Sequence, residues 1–289
     1  MLLVAFAALI WGTNPIITKF VLAETNPYII AFYRFLIGFL FLSFVLAVRK
    51  RGGGFPRIER AHFPYILLSG IIALDLILYN VSLTYTSAIN VGVLFRLNAV
   101  LIVLGSVIFF REKLKIKNIL AVALALAGAC LVIVNGRELS SLFSSATFLG
   151  DVLVILSGAC FAVYSLVGKK LAPLYGSLQS TRMSFGLGVL IMLLVILSLG
   201  YPLIPSMSAF AWVLLLILGV FHAGVTFTLW YKALETLDSA SAVVTYNLAP
   251  ISTIIFAYLL LPGEALTAWS ALGTALIVLG VSLSANEKK

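Results

Sequence analysis

Long apolar runs, broken at short intervals by polar clusters, dominate the chain. A helix needs about 20 apolar residues to cross the hydrocarbon of a bilayer. Ten segments meet that length: 2–22, 27–48, 63–84, 87–110, 116–135, 149–170, 177–199, 209–231, 239–261 and 267–285. Turn-forming residues fall at or between their ends: Asn26-Pro27, Gly52-Gly53-Gly54, Pro56, Pro64, Pro173, Pro202, Pro205 and Pro262-Gly263. The connector 136–148 is a Ser-rich loop, and no connector holds a separate domain. The pattern predicts an all-α integral membrane protein with ten transmembrane helices.

The pattern is also written twice. Residues 79–131 align with 231–283 at a constant offset of 152, so that Tyr79 falls on Tyr231, Ser87-Ala88 on Ser239-Ala240, Glu112 on Glu264 and Gly128 on Gly280. This divides the chain into a first five-helix repeat, 1–135, the loop 136–148, and a second five-helix repeat, 149–289. An odd number of spans per repeat makes the two halves enter the membrane in opposite senses. The cations agree. Arg49, Lys50, Arg51, Arg57, Arg60, Arg111, Lys113, Lys115, Lys117, Lys169-Lys170, Lys232 and Lys288-Lys289 all share one side of a ten-span bundle, whereas the loops of the other side hold only Arg137. By the positive-inside rule both termini are cytoplasmic. Such an inverted repeat is a common construction of secondary transporters.

Composition reinforces the membrane reading. Of 289 residues 62% are hydrophobic and 10% charged, against about 25% charged in soluble proteins; mean hydropathy is +1.16. The net charge of +9 has no polar domain to display it, so it reads as topology control and not as nucleic-acid binding. The first apolar segment contains Pro15 and Lys19 and lacks a basic n-region and a cleavage site, which reads as a retained helix. Cys130 and Cys160 lie within apolar runs; nothing suggests a disulfide framework, a metal site or a cofactor.

Ionisable groups inside spans are costly and become functional candidates by default. They are Arg34, Asp75, Arg96, Arg182 and His222, with Lys19 nearer a helix end. Asp75 and Arg96 both lie about 13 Å deep on antiparallel neighbours. They can pair, either as a structural bridge or as a gate or coupling site. Arg34 and Arg182 occupy equivalent places in the two repeats, in Tyr33-Arg34-Phe35-Leu36-Ile37-Gly38 and Thr181-Arg182-Met183-Ser184-Phe185-Gly186. Two such cations suit an anionic group or carbonyls at a broken helix. His222 suits a proton shuttle or a plain hydrogen bond.

Pro15 and Pro250 interrupt the first and ninth spans and free backbone carbonyls, which is tolerated where a helix lines protein or a cavity. Asn14 and Asn247 lie beside these breaks. Trp11, Tyr79, Trp230, Tyr231 and Tyr246 are candidates for an aromatic wall or for interface anchors. The fifth and tenth spans carry small residues at helical spacing, Ala121-Ala125-Ala129 with Gly128, and Ala271-Ala275 with Gly273 and Gly280. Those faces suit close packing, as scaffold or as a homodimer contact.

These features together resemble the drug/metabolite transporter superfamily, EamA type, over nearly the whole chain. The resemblance rests on Trp11-Gly12 with Lys19, the surroundings of Arg34, and the Tyr85-Thr86-Ser87-Ala88 and Ser239-Ala240 starts of the fourth and ninth spans. Pro250 and the helix-end Glu112 and Glu264 complete it. It implies two inverted five-helix repeats around a central cavity, peripheral fifth and tenth helices, and alternating access in the plasma membrane. The implied cargo is a small polar metabolite such as an amino acid, moved outward; sugar-phosphate, nucleotide-sugar or lipid-linked cargo is the alternative on the same fold. The position matching Pro250 in the first half is Asn98, a departure from symmetry. From residues and resemblance together, the substrate-cavity candidates are Trp11, Asn14, Lys19, Arg34, Tyr79, Arg96, Asn98, Arg182, Trp230, Tyr246 and Asn247. The coupling or gating candidates are Asp75, His222, Pro15 and Pro250. The chain lacks a His-Glu-x-x-His, a Gly-x-Ser-x-Gly and a P-loop, so an enzyme and direct ATP drive are not expected.

Overall fold

A computed structural model describes residues 2–49, 56–111, 116–136, 146–236, 249–264 and 266–285. Tyr246, Asn247, Glu112 and the start of the ninth span lie outside the described residues.

Ten helical rods form among the described residues. They are α1 (Leu2–Leu22), α2 (Pro27–Val48), α3 (Phe63–Ser69 and Ile72–Tyr85), and α4 (Ala88–Leu94, a 3-10 turn Phe95–Leu97, and Asn98–Phe110). Next come α5 (Ile116–Val134), α6 (Ala146–Tyr175) and α7 (Ser177–Ser198). The last are α8 (Ala209–Ile217, a π segment Leu218–Val225, and Thr226–Thr236), α9 (Ala249–Leu260) and α10 (Ala268–Ala285). Six are long and apolar enough to cross a membrane by length and composition; Phe6–Leu22 and Ala268–Gly280 are shorter apolar stretches.

Local sequence explains where several rods start. Asn26 Oδ1 accepts the backbone N–H of Tyr28 at 3.1 Å and of Ile29 at 3.0 Å, with Pro27 opening the helix. Ser87 Oγ accepts Asn90 N–H at 2.9 Å at the head of α4, and Ser208 Oγ accepts Ala211 N–H at 3.1 Å at the head of α8. One span departs from expectation. α6 begins at Ala146 and continues through Pro173 to Tyr175, well beyond 149–170. At 30 residues it is about 45 Å long, so its ends rise above the hydrocarbon. Pro173 forfeits only the bond to the carbonyl of Lys169, near the helix end.

Helix contacts repeat under exchange of the halves. α2 packs on α7 and α5 on α10; α3 on α6 is matched by α8 on α1, and α1 on α9 by α6 on α4. That pattern is the pseudo-two-fold of two inverted five-helix units. The outer surface is apolar, with Phe44, Phe109, Leu194 and Tyr258 more than two-thirds exposed, as a lipid-facing surface requires.

Helices α5 and α10 approach each other closely within one chain at Gly128 and Gly273. A Cβ on Gly128 would sit 2.5 Å from Gly273 O, and one on Gly273 would sit 2.5 Å from Gly128 O. Only glycine allows this approach. Of the stripe read as scaffold or dimer contact, Gly128 and Gly273 serve as scaffold within one chain, while Ala275 is exposed.

Candidate functional site

Each irregular stretch of helix lies beside an intramembrane ionisable residue. The break in α3 at Ser69–Ile72 precedes Asp75, the 3-10 turn of α4 contains Arg96, and the π segment of α8 contains His222. Such irregularity frees backbone and re-aims side chains, and is tolerated at membrane depth where it lines protein or a cavity.

Between these helices lies a cavity of about 30 Å³. From α1 come Trp11 and Asn14, from α2 Arg34, and from α3 Asp75, Leu76 and Tyr79. Phe95 and Arg96 come from α4, Phe161 from α6 and Phe227 from α8. Six of the sequence candidates thus meet at one place. The aromatic members interlock: Trp11 packs edge-on against Phe161 at 6.0 Å and Phe227 at 5.4 Å, and Tyr79 against Phe95 at 5.4 Å.

The polar members have definite partners. Asp75 accepts the hydroxyl of Ser157 at 2.5 Å and lies within the electrostatic reach of Arg34. Arg96 Nε donates to Gly92 O at 3.4 Å, with its guanidinium 5.8 Å from the centre of the Phe95 ring. Arg34 differs. It is 1% exposed, and its Nε and Nη1 have no hydrogen-bond partner among the described residues. Leaving guanidinium N–H groups buried and unmet is costly. The arrangement offers an oriented donor pair to a ligand.

The remaining candidates lie elsewhere. Lys19 lies in the last turn of α1 and pairs with Glu264 at 2.9 Å. Arg182 is as buried as Arg34 but does not border this cavity, so the two repeats place their equivalent cations differently. Asn98 is fully buried against Gly158 of α6, and neither its Oδ1 nor its Nδ2 has a hydrogen-bond partner among the described residues. Trp230 backs the cavity 6.1 Å behind Trp11 and donates to Ser165 Oγ at 2.9 Å. Pro15 is buried within an uninterrupted α1, and Pro250 near the start of the described part of α9. There Gly12 lets α1 lie against Ala249 and Ser252, while Thr253 Oγ1 donates to Gly12 O at 2.7 Å.

His222 stands behind the cavity as a tie between α8 and α1. Its Nε2 lies 2.8 Å from Thr13 Oγ1, and its carbonyl accepts Trp11 Nε1 at 3.1 Å. Thr13 also donates its hydroxyl proton to Ile10 O at 2.8 Å, and His222 Nδ1 lies 3.4 Å from Ile217 O, so the imidazole is engaged at both nitrogens.

Sequence reasoning missed Ser157, Phe161 and Phe227, and also Asp151. Phe227 precedes Trp230 by one helical turn, so the helical period signalled it; Phe161 stands two residues off the 152 offset that would match it to Trp11, and no pattern marked it. Asp151 stood at the edge of a span. It is buried and accepts Thr86 Oγ1 at 2.7 Å and Asn90 Nδ2 at 3.1 Å, holding the first turn of α4.

The fold is shared with a protein of known crystal structure, at a TM-score of 0.70 and 20% identity, covering 99% of this chain and 98% of that one. An uncharacterized transporter of Archaeoglobus fulgidus is 32% identical over 289 residues, 99% of this chain and 97% of its own length. The uncharacterized inner membrane transporter YhbE of Escherichia coli is 30% identical over 149 residues, 51% of this chain and 46% of the relative. The EamA-like transporter family matches the chain twice, over residues 1–134 and 148–286. With ten helices, a mid-membrane polar cavity and these relatives, the chain is a multi-pass membrane transporter, not an enzyme, and belongs to the EamA-like transporter family.

Proposed function

We propose that the protein exports a small zwitterionic metabolite of the amino-acid class by alternating access, with both termini in the cytoplasm. The observation that carries this reading is Arg34, buried beside Asp75 with two donor groups unmet. A carboxylate would take the guanidinium in a forked pair, an ammonium would face Asp75, and an apolar side chain would lie among Trp11, Phe161 and Phe227. At about 30 Å³ the cavity has room for about two water molecules, so the contacts around it must separate before a solute enters. Asp75 is the group we assign to coupling, while Pro15 and Pro250 flank the segments we assign to the movement. The two units that move are 1–135 and 149–289, joined by 136–148.

The test is counterflow of radiolabelled amino acids in liposomes containing purified protein. Saturable exchange in the wild type, lost in Arg34→Ala with Tm unchanged, supports the reading. Exchange that survives Arg34→Ala overturns it. An anionic solute is a second reading, favoured by the surplus cation of Arg34 and Arg96 over Asp75. It predicts that a phosphorylated or organic-acid solute, and no amino acid, drives exchange.

A further inference from the structure

A second and larger cavity, about 240 Å³, lies outside the central site and shares no residue with it. It is a groove between α3, α4 and α6. On α6, Val163, Leu166 and Lys170 recur at a helical period along one face, while Phe161 of the same helix points into the central cavity. Tyr65 and Leu68, one turn apart on α3, form the facing wall, and Phe109 closes the groove from the end of α4. Leu68 and Phe109 are exposed, so the groove opens sideways toward lipid.

Its chemistry is graded along its length. The deep part is apolar. The mouth carries Tyr65 and Lys170, with the ammonium 4.6 Å from the centre of the Tyr65 ring. That contact holds the long side chain over the groove. The mouth stands where α3 begins and α6 ends, at the end of the bundle that also bears Arg57 and Arg60. An aromatic ring and a cation at that height are the groups that meet lipid headgroups. A chain that is apolar below and anionic above fits both ends at once.

We propose that this groove is a binding site for an anionic phospholipid, one acyl chain lying along Leu68, Val163 and Leu166 and the phosphate resting on Lys170 Nζ. The lipid would wedge between α3 and α6, the pair that also positions Asp75 and Ser157.

Native mass spectrometry of detergent-purified protein tests this, using phosphatidylglycerol and phosphatidylcholine with identical acyl chains. The wild type is expected to retain one phosphatidylglycerol in preference to phosphatidylcholine. Lys170→Gln should reduce that preference roughly fivefold, the scale of one basic residue at an anionic surface. Lys169→Gln, which keeps the groove intact, should leave it unchanged, and Val163→Trp should abolish retention of either lipid by filling the groove. Equal losses in Lys170→Gln and Lys169→Gln would reduce the effect to general surface charge and overturn the site. So would displacement of the lipid by inorganic phosphate alone, or loss of a dimer in Val163→Trp with the lipid count unchanged. Thermal unfolding of each variant checks folding; if Val163→Trp fails it, the two lysine variants still decide.

Discussion

Glu264 holds three donors from two separate helices. Its Oε1 takes Lys19 Nζ of α1 at 2.9 Å and the backbone N–H of Ala88 at 2.7 Å, and its Oε2 takes the N–H of Ile89 at 3.3 Å. A carboxylate from the α9–α10 connection therefore caps α4 and ties down α1. The first turn of a helix presents unmet N–H groups and a partial positive charge, so an anion there is stabilising. Removing the charge in Glu264→Gln should destabilise the protein by about 1–2 kcal/mol. Lys19→Ala should cost less, because the two backbone donors remain served. Thermal unfolding of both variants in one detergent checks the order; equal losses would assign the whole effect to the ion pair.

The same end of the bundle carries a second carboxylate of this kind. Glu24, in the α1–α2 connection, accepts Ser208 N–H at 2.6 Å and Ser208 Oγ at 2.7 Å, at the head of α8. The Ser208 backbone N–H, then its hydroxyl, hold the Glu24 carboxyl below its usual pKa. A carboxyl whose folded pKa is depressed adds stability above its unfolded pKa, near 4.5, and loses it as pH falls through the folded value. The difference in Tm between wild type and Glu24→Gln should therefore be constant at neutral pH and shrink below about pH 4.5. A difference that grows on acidification would contradict this contact.

Arg34 offers a planar fork and no lysine can reproduce it. If a carboxylate docks there, Arg34→Lys should weaken binding by about tenfold or more with little change in folding. A thermal-shift titration with amino acids reads this, since a ligand that binds the folded state raises Tm by mass action. Unchanged apparent affinity would remove Arg34 from the binding site.

Asp75→Asn preserves shape and the Ser157 contact while deleting the charge. Under the coupling role, an imposed pH gradient drives solute flux in the wild type and not in Asp75→Asn, while gradient-free exchange continues in both. Flux in the wild type that ignores the gradient would dismiss proton coupling through this residue.

The α5–α10 seam makes a prediction about stability alone. Gly128→Ala places a methyl group against Gly273 O, and overpacking of this kind costs about 1–3 kcal/mol. Unfolding temperature should fall, while ligand affinity in the variant that remains folded should not, because neither helix borders the central cavity.

The ten spans, their inverted pairing and the membrane setting were legible in the sequence because each depends on local quantities: apolar length, the side on which Lys and Arg fall, and the repeat offset. The candidate site was legible in part. Trp11, Asn14, Arg34, Asp75, Tyr79 and Arg96 stood out as polar or aromatic groups at membrane depth, and the cost of burying them marks them wherever they occur. Which of them face one cavity depends on how ten rods rotate against each other, and close contacts such as Gly12 on α9 and Gly128 on Gly273 set that rotation. Sequence alone treated Arg34 and Arg182 as equivalent and offered Arg96 to Asp75. The tertiary structure placed Arg34 as well as Arg96 with Asp75 on one cavity, gave Asp75 the hydroxyl of Ser157, and set Lys19 in a capping contact with Glu264. The physical reason is that a charge in lipid announces itself by its cost, whereas its partner is chosen by packing between helices far apart in the chain.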